Sequence, residues 1–182
     1  MTDDFDEDDW REQLDALREE KDAFFADHPQ SPVPPEHREG FEGLAYFDPD
    51  PSYRVDARVE RHDDPEPVTM ETTNGPEVRY ERVATLHFDL GGEERTLGAY
   101  RQDPDDQLFV PFRDKTTGQE SYHRGRYMEL DVEGELPERV PLDFNLAYNP
   151  FCAYSETFAC PLPPEGNWLG TVVEAGERDV KF

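Results

Sequence analysis

A mainly β domain, folded as an antiparallel sandwich or a curved, partly closed barrel with an N-terminal amphipathic helix, is the architecture this sequence predicts. Three observations carry it. Apolar residues alternate with charged ones at period two in several short runs after residue 44. Turn signals (Asn74-Gly75, Gly91-Gly92, Asp103-Pro104-Asp105-Asp106) separate those runs at short intervals. Helical periodicity is confined to the N-terminal stretch. One domain over 1–182 follows, with a helix over about 9–27 and a β-rich body over about 44–182, because no internal repeat or linker divides the chain.

In the helix, Trp10, Leu14, Leu17, Phe24 and Phe25 recur at helical spacing with charges between them. Asp9 and Glu12 have the spacing of a capping box, and His28-Pro29 ends the element. A proline-rich connection, "SPVPPEHREGFEG", leaves room for one helical turn after Pro34-Pro35.

The first strand, "YRVDARVE", puts Tyr53, Val55, Ala57 and Val59 on one face and charges on the other. "VTMETT" pairs with the next strand through the Asn74-Gly75 hairpin signal. In that next strand Val78, Tyr80, Ala84, Leu86, Phe88 and Leu90 share a face that Arg82 breaks, which marks a bulge, a rim position or an inward polar site. Gly91-Gly92 turns the chain into "RTLGAYR", and the Asp-Pro-Asp-Asp turn leads into "QLFVPF". Further strands are expected at "RYMELDV", "RVPLDF" and "LGTVVEA".

The formal net charge is -26, from 44 acidic and 18 basic residues, and the only lysines are Lys21, Lys115 and Lys181. An acidic, lysine-poor chain with 12% aromatic residues looks like a protein adapted to high cytoplasmic salt, which screens self-repulsion. The charge argues against nucleic-acid and anionic-membrane partners, since phosphate binding wants a basic surface. The N-terminus has no signal-peptide pattern and no apolar run approaches a membrane span, so a soluble cytoplasmic protein is expected. In that compartment two cysteines are expected as free thiols.

Two segments concentrate polar chemistry. In "FVPFRDKTTGQESYHRGRYMEL", Arg113, Asp114, Tyr122, Arg124 and Arg126 lie close together. A guanidinium offers a planar fork of donors to a carboxylate or phosphate, and an internal Arg-Asp pair is the competing use. In "LDFNLAYNPFCAYSETFACPLPPEGNW", Asp143 and Asn145 flank Phe144, and a strand there would turn both away from the ring. A buried aspartate needs a partner, for which Arg113 or Arg126 is available. Asn145, Asn149 and Asn167 mark a long connection whose backbone is satisfied by amides instead of a sheet. Cys152 and Cys160 are separated by seven residues, with no histidine between them. That spacing disfavours a zinc site and a Cys-x-x-Cys redox motif, and suggests small buried side chains. A thiol nucleophile would need His87 or His123 brought close. There is no glycine-rich phosphate loop and no G-x-S-x-G elbow, so no cofactor is called for.

The blocks "GLAYFDPDPSYRV", "FVPFRDKTTGQESYHRGRYMEL" and "LDFNLAYNPFCAYSETFACPLPPEGNWL" resemble the family catalogued as domain of unknown function 1684, from the N-terminal helix to Ala175–Glu177. The resemblance implies a fold but no established reaction. The family pattern more often carries glycine near His123, which weighs against catalysis there. The leading expectation is a polar pocket in which Arg113 and Arg126 hold an anionic or polar small molecule oriented by Tyr122, Asp143, Asn145 and Asn149. A non-catalytic interaction module and a metal- or thiol-dependent enzyme are the alternatives.

Overall fold

Period-two burial builds one antiparallel sheet of six strands, β1 (Arg54–Met70), β2 (Val78–Leu90), β3 (Glu93–Arg101), β4 (Leu108–Phe112), β5 (Arg126–Leu130) and β6 (Arg139–Asp143), in the order β5-β4-β3-β2-β1-β6. The computed structural model describes residues 5–132, 134–155 and 157–180. The sheet curls into a half-barrel, so the curved, partly closed form is the one adopted and the sandwich is not. Leu86, Leu97, Leu108, Val110, Phe112, Leu142 and Phe144 are fully buried inside the curl. Phe144, at the end of β6, reaches Phe88 and Phe112 at 5.7 and 5.5 Å between ring centroids, tying the far edge of the sheet to its middle.

β1 is longer than its alternation foretells. "YRVDARVE" and "VTM" are two ends of one strand, whose register on β2 slips between Arg61 and Glu66. Met70 pairs with Val78, so the Asn74-Gly75 signal lies in a hairpin connection of residues 71–77. Gly91 and Gly92, at φ +66° and +81°, form the tight turn between Leu90 and Glu93; two consecutive positive φ values suit glycine and match the strand twist. Of the three alternatives the sequence leaves at Arg82, a bulge is the one formed. Arg82 pairs with Tyr100 and Ala84 with Ala99, leaving Val83 as the extra residue. The bulge puts Arg82 on the face of Tyr100 while Ala84 stays with the core.

Between β3 and β4 the ladder has one registered pair, Tyr100 with Phe109. Beyond it the strands part, and the buried side chain of Asn167 fills the gap. Its Oδ1 accepts from Gly98 N at 2.8 Å, and its Nδ2 donates to Gly98 O and Pro111 O at 3.0 and 2.7 Å. Proline cannot donate to a ladder, so an amide takes over at Pro111.

The helix α1 (Glu7–Asp27) begins earlier than the expected capping box. Asp6, not Asp9, is the cap, accepting from Asp8 N and Asp9 N at 3.0 and 3.2 Å. Three acids in the first turn favour that start through the helix dipole. Leu14 and Phe25 are buried, whereas Leu17 is 52% exposed. Trp10 donates to Asp143 Oδ2 at 2.9 Å and Arg18 to Phe47 O at 3.0 Å, which lays α1 across the side where the curl stays open. A single turn, α2 (Pro35–Arg38), follows the two prolines as predicted. Among the described residues no helix is long and apolar enough to cross a membrane.

Replacing Asn167 with alanine is expected to leave three buried backbone groups unpaired and to cost about 3 kcal/mol. A urea midpoint equal to wild type would contradict this role for the amide.

Candidate functional site

The sequence "LGTVVEA" alternates in burial like a strand: Val173 and Ala175 are fully buried and Val172 is 40% exposed. It is nevertheless not a strand, because side chains occupy its backbone groups. Arg126, on β5, is completely buried; its NH2 donates to Val173 O at 2.8 Å, its NH1 to Glu177 O at 3.1 Å, and NH1 also bonds Ala175 O. Asp114, at the end of β4, accepts from Val173 N at 2.7 Å and from Arg126 NH2 at 3.2 Å. The two charges are both 0% exposed. Thr116 N and Oγ1 complete the carboxylate at 3.1 and 2.8 Å. Burial pulls the Arg126 guanidinium downward in pKa, and Asp114 opposes that. The pair therefore acts as the missing ladder that holds residues 173–177 in the open seam of the half-barrel.

The other polar residues of the C-terminal half are used in the same way. Glu177, itself buried, accepts from Asn149 N and Tyr154 Oη, both at 2.9 Å, and pairs with Lys21 of α1. Asn149 Nδ2 donates to Arg178 O at 2.8 Å. Asn145 clasps Asp50, accepting from its N at 3.0 Å and donating to its O at 2.9 Å. Asp143 finds its partners in Trp10 and Asn145, not in an arginine. The expected strand through Phe144 ends at Asp143, and residues 144–146 form a 3-10 turn. The amides thus satisfy backbone groups of distant segments more than those of their own connection. Arg126, Asp114, Asp143, Asn145 and Asn149 all have internal partners. Arg113 lies apart from them, half-buried and stacked over Trp168 at 4.6 Å.

Tyr122, Cys152 and Cys160 do come together. Gly125, at φ +97°, closes the turn from Tyr122 O at 3.0 Å; a Cβ there would meet Phe112 O at 2.6 Å. This turn presents Tyr122, His123 and Arg124 to a cleft of about 510 Å³, whose opposite wall is Cys152 to Ser155 with Thr73 behind. Tyr122 Oη is 3.4 Å from Cys152 Sγ, and Cys152 N donates to Cys160 Sγ at 3.4 Å. Both cysteines are free thiols. The hydrogen bond from Cys160 draws the Cys152 thiol down to about 6, helped by Tyr122, Thr73 and Arg124 against the effect of burial. The same bond, together with burial, pushes Cys160 up. Among the described residues no three His, Cys, Asp or Glu side chains converge as a metal set.

A second cleft, of about 550 Å³, lies on the sheet face away from the core. Tyr80, Tyr100, Phe109, Tyr127 and Tyr148 line it, with Asp106 and Glu129 at its rim and Cys160 in its wall. Its floor follows from the bulge at Arg82 and from the pairs Tyr100–Phe109 and Phe109–Glu129, which place these residues on one face. Sequence reasoning missed this cleft, as it missed Asn167 as a sheet pin, Glu177 as the partner of Lys21, and Arg124 as the cation beside Cys152. The alternation in "RYMELDV" was the available signal for the aromatic face.

A helix-covered antiparallel half-barrel, its seam held by a buried ion pair and its loops walling two clefts, defines a small β-scaffold protein. The chain belongs to the family described as "Protein of unknown function (DUF1684)", which matches residues 39–178. The whole of α1 precedes the matched span. An uncharacterized protein of Haloarcula marismortui from gene locus rrnAC0354, solved by solution NMR, is similar at 62% identity over 94% of this chain and 95% of its own, with a TM-score of 0.74. No curated protein matches the chain.

Arg126→Met alone should cost about 4 kcal/mol, because it strands a buried carboxylate and three carbonyls. The double variant Arg126→Met/Asp114→Asn should lose clearly less than the sum of the two single losses. Additive losses in a denaturation cycle would refute direct coupling.

Proposed function

We propose that the chain binds a small anionic or polar molecule in the cleft between Tyr122 and Cys152. The observation that supports this most is the charge of the lining. In a chain of net charge -26, the aromatic cleft carries Asp106 and Glu129 beside Arg101, and a third cleft carries Glu71, Glu77 and Glu165 beside Arg113 and Arg124. The Cys152 cleft has no carboxylate among its described lining residues, and it has Arg124, His123, Thr73 and the Tyr122 ring instead. A cation facing a cleft with no carboxylate among its described lining residues lowers the cost of desolvating an anion there. Arg113 stands on the far side of His123 and Arg124, among the glutamates of the neighbouring cleft.

The acidic surface is, on this reading, an adaptation to high salt, supported by the haloarchaeal relative at 62% identity. The carboxylates repel one another until counter-ions screen them.

Two measurements test these readings. Inorganic phosphate should raise Tm of the wild type above the value in potassium chloride of equal ionic strength, and Arg124→Ala should remove most of that excess. An equal excess in both proteins would sink the anion site. Separately, Tm in potassium chloride should climb steeply between about 0.1 and 2 M, where the Debye length falls from about 10 Å to roughly 2 Å. A flat profile would count against the salt-adapted surface.

A further inference from the structure

The polar network that closes the seam uses neither thiol. Cys152 and Cys160 sit instead in the wall between the two clefts, Cys152 lining one and Cys160 the other. The chain folds back on itself between them: residues 151–153 make a 3-10 turn, and Phe158 N then bonds Ser155 O. Thr73 fixes the return, since Cys160 N donates to Thr73 Oγ1 at 3.2 Å and Thr73 N to Cys160 O at 3.1 Å. The outcome is one sulfur 3.4 Å from the backbone nitrogen of the other cysteine.

We propose that Cys152 and Cys160 form a reversible dithiol–disulfide pair, with Cys152 as the attacking sulfur at the cleft and Cys160 as the resolving sulfur behind it. Cys152 is half-buried and open to the cleft, whereas Cys160 is buried. Among the described residues, Tyr122, His123, Arg124, Tyr154 and Cys160 are the titratable or charged groups around Cys152. Hydrogen bonds from the Cys160 thiol and the Tyr122 phenol favour a thiolate at Cys152, and the Arg124 cation favours it further. The bond to Cys152 and burial push Cys160 up, against the backbone N–H groups of Cys152 and Phe151, and its burial behind Cys152 makes it the resolving sulfur.

A hydroperoxide is the oxidant class that fits a small polar cleft. The Cys152 thiolate attacks the terminal oxygen, the O–O bond breaks, and the departing oxygen leaves as alcohol or water after taking a proton. Cys152 is then a sulfenic acid. Cys160 loses its proton and attacks Cys152 Sγ; the S–O bond breaks and the hydroxide leaves as water. Two thiols have lost two electrons and two protons, and the peroxide has gained them. A small dithiol reverses the pair by exchange.

The test is hydrogen peroxide added to the full chain in high salt, followed by alkylation and intact mass. Wild type should lose both thiols together and about 2 Da, the two hydrogens removed, and dithiothreitol should restore both. Cys160→Ser should stop at a dimedone-reactive Cys152, and Cys152→Ser should react at least roughly 10-fold more slowly. The wild-type rate should rise as pH passes about 6, where Cys152 ionises. Two thiols still alkylated after peroxide, or Cys152 over-oxidised beside a free Cys160, would overturn the proposal. The wild-type result alone decides it if a variant fails to fold. All of these assays keep Arg124 in place and omit phosphate, and a thiol pair that cycles without any phosphate-specific gain in Tm, or the reverse, separates the two readings.

Discussion

A guanidinium with no solvent contact must find a counter-charge and acceptors inside the protein, or the fold cannot hold it. Arg126 meets that constraint with Asp114 and with three carbonyls of residues 173–177. Desolvating both ions is costly, and the attraction offsets it because nearly every donor and lone pair of the pair is directed at a partner. Much else follows from this one requirement. The carbonyls can be presented only if the C-terminal segment enters the seam. Its last carboxylate, Glu177, is then buried and needs Asn149, Tyr154 and Lys21. Lys21 belongs to α1, so the helix is drawn over the same seam. Sheet edge, C-terminal segment and helix form one polar chain around an apolar core.

Burial pattern and pairing pattern are different information, and the sequence carries the first more openly. Alternation located β1 to β6, the glycine and Asp-Pro turns, and the bulge at Arg82. The same alternation suggested a strand in "LGTVVEA", where residues do face in and out but bond to side chains. Nothing local in the sequence says that a carbonyl will meet an arginine 47 residues away in the chain. The start of α1 slipped for a similar reason: Asp6 and Asp9 are both competent caps, and the acids that follow Asp6 decide between them. At the candidate site, the sequence points to Arg126, Asp114, Asn145 and Asn149 as lining a ligand pocket, and each has internal partners in the fold. Cys-x7-Cys gives no hint of proximity, because only the folded turn and Thr73 bring the sulfurs near each other.

Acidity is distributed along the chain. On the proposed reading, the cleft lined by Arg124, His123 and Tyr122 is where that acidic surface gives way to cationic groups. The aromatic cleft on the other side of the Cys160 wall has tyrosine and phenylalanine rings in stacked and edge-to-face pairs, with Asp106, Glu129 and Arg101 beside them. Described residues between 148 and 161 line both clefts.

The position of Arg126's acceptors also governs when the protein can form. The carbonyls of Val173 and Glu177 lie 47 and 51 residues after Arg126 in the chain. Synthesis adds only about 5–20 residues each second, so Arg126 and Asp114 emerge seconds before those carbonyls do. During that interval the sheet has an open seam and an unmatched interior ion pair, and the native half-barrel is completed only when residues 173–177 arrive. Long-range closure of this kind makes for slow folding. The strongly charged surface keeps such waiting chains apart, so its value extends from the finished protein to its unfinished copies.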